Sequence, residues 1–405
     1  MSSKHILHLD LDTFYVSVER KIDSRLKTVP LLVGGTSDRG VVAACSYETR
    51  AFGVHSGMSM KLAKQLCPEA VVIRGNSGVY SKHSDLITDI IKSEVPLFEK
   101  SSIDEFYADL TGMDRFYGCY KFATELRKKI IDNSGLPISF GLSVNKIVSK
   151  VATGEAKPNN QLMIDTGFER DFLAPLSIKK IPQVGDKTYQ TLRHLGIRHI
   201  QTIQEMPEEM LVNVLGKNGS MIWRRAHGID NSPVIAFNER KSISTERTFE
   251  RDTIDIKKLK SILIAMTENL AYQLRRGDKL TACITVKIRY SDFNTYNKQL
   301  RIPYCSADHI LIPNILELFE QLYNRRLLVR LIGVRFSYLV NGHYQINLFE
   351  DTKTTVNLYN AMDILRERYG DRSVMRASGM EAKTIGRIMN PFNGLPPVVL
   401  AHRKQ

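Results

Sequence analysis

His8-Leu9-Asp10-Leu11-Asp12 and, much further on, Ser102-Ile103-Asp104-Glu105 decide how this chain is read. Each acidic cluster is joined to an apolar, strand-like run, residues 5–9 before the first and residues 102–110 through the second. Carboxylates at strand ends are the hard oxygen ligands that hold Mg²⁺ for phosphoryl transfer. One such cluster alone is more often a solvated turn. Two that bracket a basic, aromatic-rich segment are harder to read that way. Side chains alternate along a strand, so Asp10 and Asp12 share a face while Asp104 and Glu105 point oppositely. The last two reach one ion together only at a strand end or bulge. Two-metal chemistry wants ions roughly 3.5–4 Å apart, and three shared carboxylates suffice to hold them.

Working outward, a helix carrying Val16, Val18 and Glu19 follows the first cluster. A strand over 30–33 runs into Gly34-Gly35, and a helix over 60–67 stops at Pro68. Helical spacing returns over 80–95 and 120–131, with a strand over 138–143 between that last helix and the lysines beyond it. Strands separated by helices in this order give an α+β sheet with its acids gathered at one edge. Residues 166–230 read as short helices punctuated by Gly, and 231–241 as a polar, proline-bearing linker. Beyond it, strands over 282–290 and 327–339 flank a helix over 310–323, a second α+β module. Residues 356–369 read as an amphipathic helix.

The chain has 405 residues, 43% hydrophobic and 25% charged, which suits a soluble multidomain globular protein. A net charge of +14 favours a polyanionic partner, with nucleic acid first. Residues 241–340 hold 17 Lys and Arg against 10 Asp and Glu, and Lys287 and Arg289 share one strand face. No apolar run approaches the roughly 20 residues that span a bilayer, so no membrane association and a cytoplasmic location are expected. Five cysteines, none in C-x-x-C spacing, argue against a disulfide framework or a zinc site.

Between the acidic clusters lies Tyr47-Glu48-Thr49-Arg50-Ala51-Phe52-Gly53-Val54, whose Arg is suited to bidentate bonding of phosphate oxygens. Asn145-Lys146 and Ala156-Lys157-Pro158 place lysines beyond the strand that ends near Ser143. These blocks resemble, in order and spacing, those of the Y-family or translesion DNA polymerases, in the DNA polymerase IV branch. The pattern D-x-D-x-F-[FY] is matched by Asp10 to Tyr15, S-I-D-E by Ser102 to Glu105, and Y-E-x-R-x-F-G-V by Tyr47 to Val54. Weaker similarity runs to about Phe349. Asn160 departs from a commoner Gly, and Cys45-Ser46 from a commoner Ala-Asn.

The resemblance implies a right-hand polymerase: palm in 1–20 and 80–165, fingers in 21–79, a thumb in 166–230 and a little finger in 242–344. Residues 345–405 are then a clamp-binding peptide and tail. It implies that Asp10, Asp104 and Glu105, with the carbonyl of Leu11, ligate two Mg²⁺ ions, leaving Asp12 structural. Tyr47, Arg50 and Lys157 become the triphosphate clamp, with Phe14, Tyr15 and Ser46 also at the nucleotide. Tyr15 becomes the steric gate, its ring filling the space a ribose 2′-hydroxyl would need. Ala43, Ala44 and Ser46 would line the pocket over the nascent base pair. The segment Ile181 to Lys187, followed by Leu195-Gly196-Ile197, resembles a helix-hairpin-helix, in which Val184, Gly185 and Lys187 would meet phosphates. Lys287, Arg289 and Arg335 would grip the duplex. Gln345-Ile346-Asn347-Leu348-Phe349 resembles a bacterial sliding-clamp peptide, anchored by Gln345, Leu348 and Phe349.

The expected function is low-fidelity, template-directed addition of deoxynucleotides to a primer 3′-hydroxyl by a monomer bound to primer-template DNA. Two other classes compete. A nucleotidyl cyclase would share paired acids and Mg²⁺, yet has no use for a helix-hairpin-helix or a second basic module. A non-catalytic DNA-binding scaffold would bind DNA in a salt-sensitive way without needing an intact acidic triad.

Overall fold

The computed structural model of the chain describes residues 4–37, 39–113, 118–237, 239–342, 352–370 and 373–382. They form two compact units. The first takes the chain up to Asn238 and the second begins at Glu239, so the division falls inside the stretch read as a linker. Twelve strands follow one another among the described residues: β1 (Ile6–Leu11), β2 (Leu31–Gly34), β3 (Val42–Cys45), β4 (Val71–Ile73), β5 (Phe98–Lys100), β6 (Glu105–Asp109), β7 (Ile138–Ser143), β8 (Gln161–Met163), β9 (Ser242–Thr253), β10 (Lys279–Tyr290), β11 (Thr295–Cys305) and β12 (Val329–Asn341). None of their helices is long and apolar enough to cross a membrane.

The first unit is organised by a five-stranded sheet in the order β5-β6-β1-β7-β8, with β1 antiparallel to both of its neighbours. Both faces of β1 are covered, one through Leu7, Leu9 and Leu11 and the other through Ile6, His8 and Asp10. Leu7, Leu9 and Leu11 pack with Ile87, Ile91, Leu126 and Ile130 of the helices Ser77–Glu94 and Cys119–Ser134. By alternation Ile6, His8 and Asp10 face the other way, toward the helix Lys146–Ala156, whose Ser149 and Thr153 hydroxyls bond the Ile6 and His8 carbonyls. That helix sits close. A Cβ on Gly141 of β7 would lie 2.2 Å from the Ser149 carbonyl oxygen, so only glycine fits there.

Two strand limits differ from the sequence expectation in ways that matter. The first strand continues past Leu9 to Leu11 and so carries Asp10 itself. The strand expected to start at Ser102 starts at Glu105, because the Ser102 hydroxyl accepts from the amides of Asp104 and Glu105 and turns the chain. Asp104 therefore precedes the pleat, and the alternation that would separate it from Glu105 does not apply.

A three-stranded sheet, β3-β2-β4, packs with Met60 and Ala63 of the helix Met60–Leu66 around its own small core. Residues 166–230 form the expected short helices, among them Asp186–His194, Glu208–Leu215 and Lys217–Ala226, around Leu192, Ile200, Leu211 and Ile222.

The second unit is an antiparallel sheet, β11-β10-β12-β9. The helices Ile256–Arg276 and Asp308–Leu322 cover one face through Leu263, Met266, Leu270, Leu311 and Ile315 against Ile284, Val286 and Phe336. The opposite face carries Thr285, Lys287, Arg289 and Arg335. Neither the helix Ile256–Arg276 nor β11 is among the sequence expectations. The helix expected over 356–369 spans Thr352–Tyr369 and is tied down by Asp363, which bonds Arg275 at 2.6 Å while Arg275 also holds the buried Asp308. Gln345, Leu348 and Phe349 lie outside the described residues.

Candidate active site

The register of the central sheet brings the two distant acidic clusters together. Asp10 stands directly opposite Glu105 in the β1–β6 ladder, and the Leu11 amide donates to the Asp104 carbonyl at 3.1 Å. Cβ atoms of directly paired residues are about 5 Å apart, so Asp10 and Glu105 are neighbours by construction of the sheet. Asp104 is fixed by the Ser102 hydroxyl, which donates to its Oδ1 at 2.6 Å.

Three carboxylates crowded at one sheet edge raise their own cost of ionisation. Burial pushes the Asp10 carboxyl up to about 7, with Glu105 and Asp104 adding to the rise and Lys157 opposing it. Lys157 Nζ lies 2.5 Å from Asp10 Oδ1, so desolvation outweighs even a close ion pair here. Burial likewise raises Asp104, the Glu105 charge reinforcing it and the Ser102 hydrogen bond resisting it. Glu105 is bonded by Lys150, Nζ to Oε2 at 2.6 Å.

Asp12, one step past the strand, is almost wholly buried and occupied. It accepts from the Ser139 hydroxyl at 3.0 and 3.1 Å and from the Asn159 amide at 2.6 Å, with the Tyr47 hydroxyl at 3.5 Å. It is a brace that ties β1, β7 and the turn after Lys157 together.

The donor set suits divalent cations. Three carboxylates and the Leu11 carbonyl lie at neighbouring backbone positions as hard oxygen donors, and the ammonium groups of Lys157 and Lys150 already supply positive charge to Asp10 and Glu105. Among the described residues, no three His, Cys, Asp or Glu side chains are arranged as they stand to hold a metal ion. The ladder brings the three acids together, while the side chains of Asp10 and Glu105 face lysines and that of Asp104 faces the Ser102 hydroxyl.

Around this edge the other expected residues divide. Tyr47 and Arg50 lie on the short helix Tyr47–Ala51, with the guanidinium 5.3 Å from the Tyr47 ring centre, and Arg50 is exposed. Burial and the Asp12 charge raise the Tyr47 phenol, keeping it a hydrogen-bond donor. Tyr15 is half-buried, and burial together with the Asp104 charge raises its phenol. Phe14 is buried in the core and packs against Tyr15 with the rings tilted by 46°, so it supports that ring. Ser46 is also buried. Its hydroxyl accepts from the Leu31 and Thr49 amides, so it caps the helix start where the resemblance would put it on the nucleotide. Ala43 and Ala44 leave the same strand exposed and half-exposed.

Gly185 starts the helix Asp186–His194, and the exposed Lys187 sits in its first turn, where amides lack helical partners. Val184 differs from expectation. Its side chain packs into the core and its amide donates to the Ile181 carbonyl, so it shapes the turn. On the second unit Lys287 is ion-paired with Glu246 across the sheet, Arg289 donates to the Thr295 hydroxyl, and Arg335 is exposed.

Several residues were not singled out from sequence. Lys150 and Tyr80 are the main ones, the latter stacked on Tyr15 at 4.2 Å and 13° and donating to Glu19 at 2.5 Å. Helical spacing from Lys146 could have flagged Lys150. Nothing local marks Tyr80.

Comparison with known proteins shows the family. The impB/mucB/samB family profile matches residues 9–154, which contain all three carboxylates, and its C-terminal domain profile matches residues 240–348. The DNA polymerase IV of Dehalococcoides mccartyi strain BAV1 is 36% identical over 378 residues, covering 92% of this chain and 97% of that protein. That of Streptococcus pneumoniae strain D39 is 37% identical over 338 residues, covering 82% and 96%. A solved Y-family DNA polymerase chimera superposes with a TM-score of 0.74 at 26% identity, covering 84% of this chain and all of that one. The chain belongs to the Y family of DNA polymerases, in its DNA polymerase IV branch.

Proposed function

We propose that Asp10, Asp104 and Glu105 of this DNA-directed, translesion DNA polymerase hold two Mg²⁺ ions with the Leu11 carbonyl, and that a primer 3′-hydroxyl is extended there. The observation that supports this most is the pairing of Asp10 with Glu105 and of Leu11 with Asp104 across one ladder. The two cations, when bound, would favour the ionised 3′-hydroxyl and offset charge on the departing pyrophosphate. In the reaction the 3′-hydroxyl loses its proton to solvent water and its oxygen forms a bond to the α-phosphorus, while the bond from that phosphorus to the bridging oxygen breaks and pyrophosphate leaves. Asp12 keeps the loop ends registered while this happens.

The remaining roles follow from side-chain chemistry. Arg50 and Lys157 donate charged hydrogen bonds to the triphosphate, and Tyr47 adds a neutral one. For Lys157 this means leaving Asp10, which frees that carboxylate as the nucleotide arrives. Tyr15, held against Tyr80, occupies the space beneath the sugar and excludes a 2′-hydroxyl. Small side chains at Ala43 and Ala44 leave room over the base pair, which lowers fidelity and admits damaged templates.

The central sheet with its helices is the palm (1–20 and 80–165), residues 21–79 the fingers, 166–230 the thumb and 242–344 the little finger. The amides at Gly185 and Lys187 meet phosphates, and Lys287, Arg289 and Arg335 lie along the duplex. The enzyme acts as a cytoplasmic monomer, recruited to a sliding clamp through Gln345, Leu348 and Phe349. Primer extension in Mg²⁺ tests the reading: wild type extends a primer on intact and on damaged template, and chelator stops it. Extension that persists in chelator, or after Glu105→Ala, would overturn the ligand assignment.

A further inference from the structure

We infer that Lys150 is the resting counter-ion of Glu105 and competes with divalent cations for that carboxylate, so that it positions Glu105 and sets how readily the site takes metal. This rests on reading Asp10, Asp104 and Glu105 as cation ligands.

The helix Lys146–Ala156 crosses the sheet and presents one cation to each of three adjacent strands. Lys146 bonds Glu99 of β5 at 2.8 Å, Lys150 bonds Glu105 of β6 at 2.6 Å, and Lys157, just past the helix end, bonds Asp10 of β1 at 2.5 Å. Positions 146, 150 and 157 are one and nearly two further turns apart, so they fall on one side of the helix.

Two of the three have other attachments. Lys146 is the most buried, lies 4.6 Å from the Tyr107 ring centre and shares Glu99 with the Ile235 amide, which marks it as structural. Lys157 also approaches the Leu11 carbonyl and Asp12. Lys150 has Glu105 as its one hydrogen-bonding partner among the described residues, and its side chain keeps 36% of its exposure. A long, water-reaching ammonium can leave its carboxylate at little cost. Cation binding to Glu105 favours its withdrawal. An ammonium left on that carboxylate would repel a divalent cation sharing it at contact range. Until then the pair keeps the Glu105 carboxylate aimed at the helix side of the sheet, next to Asp10.

Mn²⁺ binding to the full chain without DNA or nucleotide, followed by the paramagnetic resonance of free Mn²⁺, tests this without turnover. Lys150→Met should bind Mn²⁺ about fivefold more tightly, the scale of a half-exposed ion pair. Lys150→Arg should stay within about twofold of wild type, because it restores the cation. In a Glu105→Gln background, Lys150→Met should change affinity by less than about twofold. Equal or weaker binding by Lys150→Met overturns the inference, as does a fivefold gain that survives in Glu105→Gln, which would mark a general field effect. Wild type that takes up no Mn²⁺ at all would remove the ligand reading itself, and with it this one.

Discussion

Asp10 is costly to the fold, and its removal should make the metal-free protein more stable. Burial raises its carboxyl from an ordinary 3.8 to about 7, a rise of about three units, and each unit corresponds to about 1.36 kcal/mol. The upper bound on the cost of the ionised form is thus about 4 kcal/mol, and solvent relaxation brings the expected value nearer 2 to 4 kcal/mol. The sign follows from proton uptake. Between pH 4 and 7 the folded chain retains a proton that the unfolded chain has released, so this group lowers stability progressively as pH rises through that window, and the loss levels off above about 7. Asp10→Asn mimics the protonated form at every pH. Urea unfolding in chelator, followed by fluorescence of Trp223, the single tryptophan, reports on the first unit alone. Asp10→Asn should be more stable than wild type at pH 8, and its advantage should grow by about 2 kcal/mol between pH 5.5 and pH 8. A variant no more stable than wild type at pH 8, or an advantage that shrinks as pH rises, would refute the argument.

Other expectations follow from the packing and the open face. Gly141→Ala drives a methyl to 2.2 Å from the Ser149 carbonyl and should cost about 3 kcal/mol or more in the same unfolding assay; a loss below about 1 kcal/mol would mean the helix can lift off the sheet freely. Tyr80→Ala removes the ring stacked on Tyr15, a contact worth about 1 kcal/mol, and should cut discrimination between deoxy- and ribonucleotides about fivefold in single-nucleotide incorporation. Unchanged sugar selectivity would leave Tyr80 as core only. Neutralising Lys287, Arg289 and Arg335 together should flatten the slope of log affinity for duplex DNA against log salt by about 1 per residue; an unaltered slope would take this sheet face off the duplex.

The carboxylates were legible because their chemistry is carried by local words, Asp10 in an apolar strand and Asp104-Glu105 beside Ser102. Their meeting was not, since it depends on a ladder that pairs residues some ninety positions apart, and alternation taken alone would have separated Asp104 from Glu105. The Ser102 hydroxyl resolves this by starting the strand late. In the second unit the helix Ile256–Arg276 was readable in principle, with Leu259, Leu263, Met266, Leu270 and Leu274 at helical spacing and all buried. β11 left no such trace. It is a sheet edge whose residues from Thr295 to Arg301 are all exposed, so no burial pattern marks it. Ser46 and Val184 show the converse: both sit in motifs that suggest contact with substrate, and both are consumed by the backbone that shapes those motifs.

Asp10, Asp104 and Glu105 acting as one site is the claim on which the rest depends, and single-turnover incorporation of a correct deoxynucleotide in Mg²⁺ tests it most directly. Asp10→Ala, Asp104→Ala and Glu105→Ala should each slow the step by roughly a thousandfold or more, an effect on the scale of losing one preorganised electrostatic group, while DNA affinity stays within a few fold. Should any one of the three be replaced with the rate remaining within about tenfold of wild type, that carboxylate does not belong to the site and the account is contradicted.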